Sequence, residues 1–97
     1  MNTPLRIEIT DKAQTQISVA SAWWAAARDA IREELDRILG LLCLQPEIGT
    51  RARRATLSDV RRVTLSRIRY YVYYRVAGDA LQVLAFWHTS RDVGPSL

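Results

Sequence analysis

The residues best suited to binding or catalysis are concentrated between positions 60 and 91. Residues 60–76 read VRRVTLSRIRYYVYYRV and contain five arginines and four tyrosines. Arginine binds phosphate and carboxylate groups through paired hydrogen bonds and stacks on aromatic rings. These residue types suit contacts with nucleic acid or with a protein partner, and the alternative is a surface that meets only water.

Acid–base chemistry would have to involve His88, which is the only histidine of the chain. Cleavage of RNA by its 2′-hydroxyl requires groups that transfer protons and cations that stabilise the charge developing on the phosphate. Arg61, Arg62 and Arg91 could supply that positive charge. The simpler interpretation is that His88 ends a strand and is hydrogen-bonded by Asp92 or by a backbone group.

A second group of cations precedes this segment. Arg51, Arg53 and Arg54 lie in a polar stretch, and together with Arg61 and Arg62 they form a candidate basic patch for a target or a partner. The net charge is +4, and thirteen of the fourteen cationic residues are arginine. A coding bias towards arginine would give the same composition, so a solvated loop is the alternative to a binding patch.

Length and composition indicate one domain, which we expect to span residues 1–97. Of the 97 residues, 48% are hydrophobic and 25% charged, and no apolar run approaches the roughly 20 residues of a membrane span. The N-terminal residues lack the pattern of a secretory signal, so we expect a cytoplasmic protein. Cys43 is the single cysteine and cannot form an internal disulfide. No zinc-ligand spacing or phosphate-binding glycine loop is present, and we expect neither metal nor cofactor.

Hydrophobic periodicity predicts the elements that carry these residues. Alternating apolar residues indicate a strand over Leu5–Ile9, and spacings of three and four indicate two helices that begin near Asp11 and Asp29. Pro46 should end the second helix, and a polar loop follows. Three further strands are predicted over Val60–Leu65, Arg69–Ala77 and Leu81–His88. The order β-α-α-β-β-β predicts an α+β fold in which a helix hairpin packs on one face of a small, mainly antiparallel sheet.

Period-two alternation divides the strand residues between two faces of this sheet. The set predicted to form the core beneath the helices is Val72, Tyr74, Val76, Leu84 and Phe86. The opposite face then carries Tyr71, Tyr73, Arg75 and Trp87. Tyrosine, tryptophan and arginine are enriched at the energetic centres of protein interfaces, so this second face is predicted to bind a partner.

Two segments, LQPEIGT and VRRVTLSRIRYYVYYRVAGDALQVLAFWHTSRD, resemble toxins of the ParE/RelE superfamily from bacterial type II toxin–antitoxin modules, and the ParE branch above all. The resemblance rests on the Pro-Glu-Ile-Gly turn, the Arg-Arg pair, the Tyr-Arg-Val of the third strand and the closing His-x-x-Arg-Asp. It implies a small basic toxin whose sheet and helices are wrapped by an antitoxin, with operator DNA contacted only through that antitoxin. ParE-like members inhibit DNA gyrase, whereas RelE-like relatives cleave mRNA on the ribosome.

The resemblance leaves three functions open. The first is a ParE-like toxin that acts on gyrase by binding, with the antitoxin contacted by Tyr71, Tyr73, Arg75 and Trp87. The second is a RelE-like endoribonuclease that uses Arg61, Arg62, His88 and Arg91. The third is an inactive toxin-like module that retains only antitoxin binding. RelE-like nucleases typically place a further aromatic or basic group in the C-terminal tail, and the final DVGPSL offers none, so the first function is favoured.

Overall fold

The computed structural model describes residues 4–23, 28–52, 57–91 and 93–97. Its elements are, in order, β1 (Arg6–Ile9), α1 (Asp11–Trp23), α2 (Arg28–Leu44), a short 3-10 helix (Pro46–Ile48), β2 (Thr50–Arg51), β3 (Arg61–Thr64), β4 (Tyr70–Ala77) and β5 (Ala80–His88). The predicted α+β fold and element order are confirmed, and β2 is a short additional strand within the predicted loop. In the described part of the chain, no helix combines the length and apolarity that crossing a membrane requires.

The strands form a sheet with the order β1-β5-β4-β3-β2. β1 pairs with β5 in parallel, and the other neighbouring strands are antiparallel. β5 therefore lies between the first strand of the chain and β4. Residues of both helices share one buried cluster with residues of β4 and β5, so the helices cover one face of the sheet, as predicted.

The main core lies between the helices and this covered face. From the strands it takes Val72, Tyr74, Leu81, Val83 and Phe86, and from the helices it takes chiefly Ala13, Ala20, Ile31, Leu35, Ile38 and Leu42. The core predictions for Val72, Tyr74 and Phe86 are confirmed. Val76 is 44% exposed one residue before the end of β4, so its assignment to the core is wrong.

A β-bulge in β5 explains a second error in the core prediction. Tyr73 pairs with Ala85 and Tyr74 with Val83, which leaves Leu84 as an extra residue on β5. The extra residue interrupts the alternation, so Leu84 and Ala85 both belong to the cluster on the face away from the helices. Val83 consequently joins the main core, and the assignment of Leu84 to the core beneath the helices is wrong.

Polar side chains at the start of α1 join this helix to the sheet. Thr10, one residue before α1, caps the helix, since its Oγ1 accepts a hydrogen bond from the Ala13 N–H at 3.2 Å. Gln16 supports β5 past the end of β1, because its Oε1 accepts a hydrogen bond from the Phe86 N–H at 2.8 Å. The backbone N–H of Phe86 therefore has a hydrogen-bond acceptor although β1 ends before it reaches this residue.

A second, smaller cluster lies on the sheet face away from the helices, which we call the outer face. Its buried members are Val60, Tyr73, Leu84 and Ala85, with Ala52, Tyr71, Trp87 and Leu97 packed against them. Leu97 belongs to the C-terminal tail, residues 93–97. The tail therefore returns to the outer face and packs on it.

Candidate partner-binding face

An arginine held by two tyrosines lies at the centre of the outer face. In the antiparallel pair of β3 and β4, Arg62 is opposite Tyr73, and Tyr71 lies two residues before Tyr73 on β4. The Arg62 guanidinium carbon is 4.2 Å from the centroid of the Tyr71 ring, and its Nη1 donates to the Tyr73 hydroxyl at 3.3 Å. That hydrogen bond raises the pKa of Arg62, whose guanidinium, like that of any arginine, is charged at physiological pH.

Trp87 and Arg91 extend this arrangement across β5. Tyr71 on β4 lies directly opposite Trp87. The Arg91 guanidinium carbon is 4.1 Å from the centroid of the Trp87 ring, and the indole N–H donates to the Val93 carbonyl at 2.9 Å. The outer face thus carries a line of guanidinium and aromatic groups, Arg62, Tyr71, Trp87 and Arg91, which we call the arginine–aromatic row.

The C-terminal tail covers part of this face. Leu97 packs against the smaller cluster, the Ser96 carbonyl accepts a hydrogen bond from Lys12 Nζ at 3.3 Å, and Gly94 lies beside the Tyr73 hydroxyl. Tyr73 is only 6% exposed, so the prediction that it lies on an open surface is wrong. The period-two pattern assigns Tyr73 to the correct face but carries no sign that the tail packs there.

Arg75 lies on the outer face but belongs to a separate polar network. Its Nε donates to Gln82 Oε1 on the neighbouring strand at 2.9 Å. Gln82 Nε2 donates to Glu8 Oε1 at 3.3 Å, and Arg6 donates to Glu8 at 3.2 Å and to Asp79 at 3.1 Å. The network crosses β4, β5 and β1, so Arg75 sits beside the arginine–aromatic row rather than within it.

The arginine–aromatic row carries charge that the described part of the fold does not neutralise. Among the described residues, the ion pairs are made by Arg6, Arg37 and Arg67. Arg62 and Arg91 have no carboxylate partner within those residues. An aromatic ring orients each guanidinium plane and leaves N–H groups for a further acceptor. Such a group suits a carboxylate or a phosphate of a binding partner.

Comparison with known proteins gives the family. The family model described as "ParE toxin of type II toxin-antitoxin system, parDE" matches residues 7–93. The chain belongs to the ParE toxin family. A solved structure, the chromosomal ParDE toxin–antitoxin system from P. aeruginosa, superposes with a TM-score of 0.60 at 17% sequence identity, over 89% of this chain and 97% of that chain. At this identity the likeness concerns the fold alone. A search of curated proteins found no significant match to the sequence. The predicted placement in the ParE branch is confirmed.

In this ParE-family chain, the described members of the predicted basic patch divide between two faces, since Arg51 lies opposite Arg61 across β2 and β3 and Arg62 lies on the outer face. Arg61 and Arg62 are successive residues of β3, so their side chains point to opposite faces. Arg61 Nη1 donates to two carbonyls of the turn 47–49, at 3.1 and 2.7 Å, and thereby braces the turn after α2. Arg51 lies on the exposed edge strand β2, and Arg53 and Arg54 lie outside the described residues.

The residues of the nuclease alternative are also spread over the two faces. His88 lies on the helix side of the sheet, where its ring meets Tyr70 edge-on with centroids 5.0 Å apart. The backbone N–H of Ser90 donates to His88 Nδ1 at 3.1 Å. The other candidate for pairing with His88, Asp92, lies outside the described residues. Arg62 and Arg91 stack on aromatic rings of the outer face, away from the imidazole.

Sequence reasoning missed the contacts of Tyr74. This residue is fully buried, and its hydroxyl donates to the Pro46 carbonyl at 2.6 Å and accepts from the Gly49 N–H at 2.9 Å. Burial raises the pKa of Tyr74. A Cβ atom on Gly49 would overlap this hydroxyl and would lie 2.9 Å from the Arg62 carbonyl oxygen. The Pro-Glu-Ile-Gly turn is therefore shaped by its packing on a tyrosine of β4.

Glu34 is a second residue that the pattern conceals, because it stands in an acidic run typical of a solvated helix face. It is 3% exposed and accepts hydrogen bonds from Arg37 at 3.2 Å and from the Ser66 hydroxyl at 3.3 Å. The hydrogen bond from Arg37 is the main cause that lowers the pKa of Glu34, and it outweighs desolvation. Glu34 thus joins α2 to the turn between β3 and β4.

Proposed function

We propose that this ParE-family toxin inhibits DNA gyrase by binding, and that a cognate antitoxin neutralises it by covering the outer face. The family match over residues 7–93 supports the type II toxin assignment. The gyrase target follows from the resemblance to the ParE branch. The assignment of the outer face to antitoxin binding is supported by the arginine–aromatic row, whose cations have no carboxylate partner among the described residues.

Recognition of an acidic antitoxin segment fits the chemistry of this row. Carboxylates would take paired hydrogen bonds from Arg62 and Arg91, and apolar side chains would pack on the partly exposed rings of Tyr71 and Trp87. Stacking already fixes both guanidinium planes, so less side-chain entropy is lost when the antitoxin binds. The net charge of +4 also favours encounter with an acidic partner. Arg75 would contribute only at the margin of the interface, since Gln82 holds it.

Binding rather than catalysis is supported by the placement of the only histidine. Proton transfer and charge stabilisation during RNA cleavage need His, Arg or similar groups in one concavity. His88 is on the helix side, whereas Arg62 and Arg91 are on the outer face. Arg61 is engaged by backbone carbonyls of the turn after α2.

Parallel assays of gyrase and of translated mRNA test the target. We expect the purified toxin to block supercoiling of relaxed plasmid by gyrase and to leave mRNA in a translating extract intact. His88→Gln should inhibit gyrase as the wild type does, because a binding toxin needs no acid–base group. In a nuclease the same change should lower cleavage by about 100-fold or more. Codon-phased mRNA cuts that disappear in His88→Gln would establish the endoribonuclease instead.

Charge neutralisation tests the antitoxin surface. Arg62→Gln and Arg91→Gln should each weaken binding of the antitoxin encoded beside the toxin gene by about 10- to 100-fold, the worth of a hydrogen bond to a charged group. Affinity of the wild type should fall as ionic strength rises. The matched control is Arg32→Gln, at an exposed position on α2 away from the outer face. Equal losses in all three variants would show that only net charge matters.

A further inference from the structure

β1 leaves one edge of the sheet open. The N–H of Arg6 donates to the Asp79 carbonyl at 3.0 Å and that of Thr10 to the Val83 carbonyl at 3.1 Å, both on the β5 side. Successive amides of a strand point to opposite edges, so the N–H and C=O groups of Ile7 and Ile9 point away from β5. In the part of the chain that the structure describes, no strand lies beyond β1.

The same edge exposes apolar side chains. Ile7 is 47% and Ile9 36% exposed, and both lie on the helix side, opposite Leu81 and Val83 of the main core. A groove of about 530 Å³ adjoins Ile9, and its apolar lining includes Ile17, Ile31 and Leu35. An open strand edge that carries exposed isoleucines is a template for another strand.

The sequence of β1 suits pairing with itself. Residues 5–9 read Leu-Arg-Ile-Glu-Ile, so opposite charges stand symmetrically about Ile7 and apolar residues occupy both ends. We propose that β1 pairs antiparallel with β1 of a second copy, centred on Ile7, so that toxin free of antitoxin forms a two-fold symmetric dimer with one continuous sheet. Arg6 of each copy then lies opposite Glu8 of the other, and Leu5 lies opposite Ile9.

Two physical constraints select this register. The amides that face outwards belong to odd-numbered residues, so odd-numbered residues must pair with odd-numbered residues, and the two-fold axis can pass through any single residue of β1. An axis through Arg6 or Glu8 would set two like charges opposite one another, which is unfavourable. Centring on Ile9 would place Glu8 opposite Thr10 and remove both ion pairs. Centring on Ile7 keeps them, and the Arg6 and Glu8 side chains are 60% and 47% exposed, within reach of a second copy.

The backbone hydrogen bonds of this register can also be counted. The central Ile7 residues of the two copies exchange two hydrogen bonds, since each presents an N–H and a C=O at the open edge. The N–H of Ile9 in each copy can donate to the Leu5 carbonyl of the other. The Leu5 N–H makes no contribution, because it already donates to the Cys43 carbonyl at 3.1 Å.

Charge exchange within β1 tests the proposal. Glu8→Arg leaves Arg at both positions 6 and 8, and Arg6→Glu leaves Glu at both. Each variant alone sets like charges opposite one another, so its self-association should weaken about tenfold or more by sedimentation velocity. An equimolar mixture restores opposite charges at both sites. We therefore expect native mass spectrometry to show a heterodimer with close to wild-type affinity, after thermal melts establish that each variant is folded.

Three results would overturn the proposal. The first is a wild-type toxin, purified without any partner, that sediments as a monomer at every concentration accessible to the experiment. The second is a dimer that both single variants form as readily as the wild type, which would place the contact elsewhere. The third is a mixture that stays monomeric. The measurement involves neither gyrase nor antitoxin, so its outcome is separate from that of the proposed function.

Discussion

Tyr74→Phe removes a single oxygen atom that joins β4 to the turn after α2. The hydroxyl is buried, donates to the Pro46 carbonyl and accepts from the Gly49 N–H. A typical intramolecular hydrogen bond contributes about 1 kcal/mol net, and a buried polar group left without a partner costs about 1–3 kcal/mol. We therefore expect the free energy of unfolding to fall by about 2–4 kcal/mol, mostly because the Gly49 amide loses its partner.

Thermal and urea unfolding followed by circular dichroism measure this loss. In a domain of this size 1 kcal/mol corresponds to roughly 4–8 °C, so Tm should fall by at least about 8 °C. The matched control is Tyr70→Phe, because the Tyr70 ring stacks on Phe86 and its hydroxyl has no hydrogen-bond partner among the described residues. The control should change stability by no more than about 0.5 kcal/mol. Equal stability of the two variants would refute the role of the Tyr74 hydroxyl.

The same hydroxyl makes the free energy of unfolding depend on pH in the alkaline range. Burial raises the pKa of Tyr74 in the folded chain, so the folded state holds this proton more tightly than the unfolded state. The resulting stabilisation is complete below the unfolded pKa of about 10 and is lost as pH rises from there through the folded pKa. Phenylalanine has no such proton. The stability difference between wild type and Tyr74→Phe should therefore narrow above about pH 10.

Three further predictions concern the turn, the buried carboxylate and the tail. Gly49→Ala should lower the free energy of unfolding by about 1–3 kcal/mol through overlap with the Tyr74 hydroxyl, whereas Gly40→Ala, where a Cβ meets nothing within 4 Å, should not destabilise the fold in urea titrations. Glu34→Gln should be less stable than the wild type at neutral pH and about equally stable in acid. The lowered pKa of Glu34 stabilises the folded wild type fully above the unfolded pKa of about 4.3, and this stabilisation is lost as pH falls through the folded pKa. A stability difference that does not change with pH would contradict this. Trp87→Phe should speed amide hydrogen exchange in the C-terminal tail about fivefold by removing the indole hydrogen bond to Val93, and unchanged exchange would mean that the tail is held by other contacts.

The sequence predicts the element order because each element has a strong local signal. The period of the apolar residues changes from two to between three and four after Ile9, and Pro46 ends the second helix where expected. The face that bears Tyr71 and Trp87 also follows from period two. That argument assumes an unbroken alternation, and it fails at Leu84, where Val83, Leu84 and Ala85 are all apolar and nothing local marks the bulge.

The errors at the candidate site have a different physical origin. Burial of Tyr73 depends on a tail that meets β4 only in the folded chain, so no local pattern reports it. Glu34 looks solvated because its burial depends on a hydroxyl 32 residues away. Arg61 resembles its neighbour Arg62 in sequence, yet one braces backbone carbonyls and the other stacks on a ring. Contacts between distant segments set these roles, and residue type alone does not determine them.

The parallel pairing of β1 with β5 also bears on how the chain folds. Glu8 on β1 and Gln82 on β5 are 74 positions apart, and β5 lies between β1 and β4 in the sheet. Closing so long a loop is entropically unfavourable before the contacts form, which slows folding. During synthesis, β1 and α1 emerge long before the strand on which they pack, so their apolar faces stay uncovered until β5 is available. We therefore expect β1 and α1 to pack on the sheet only after β5 has been synthesised, in one cooperative step.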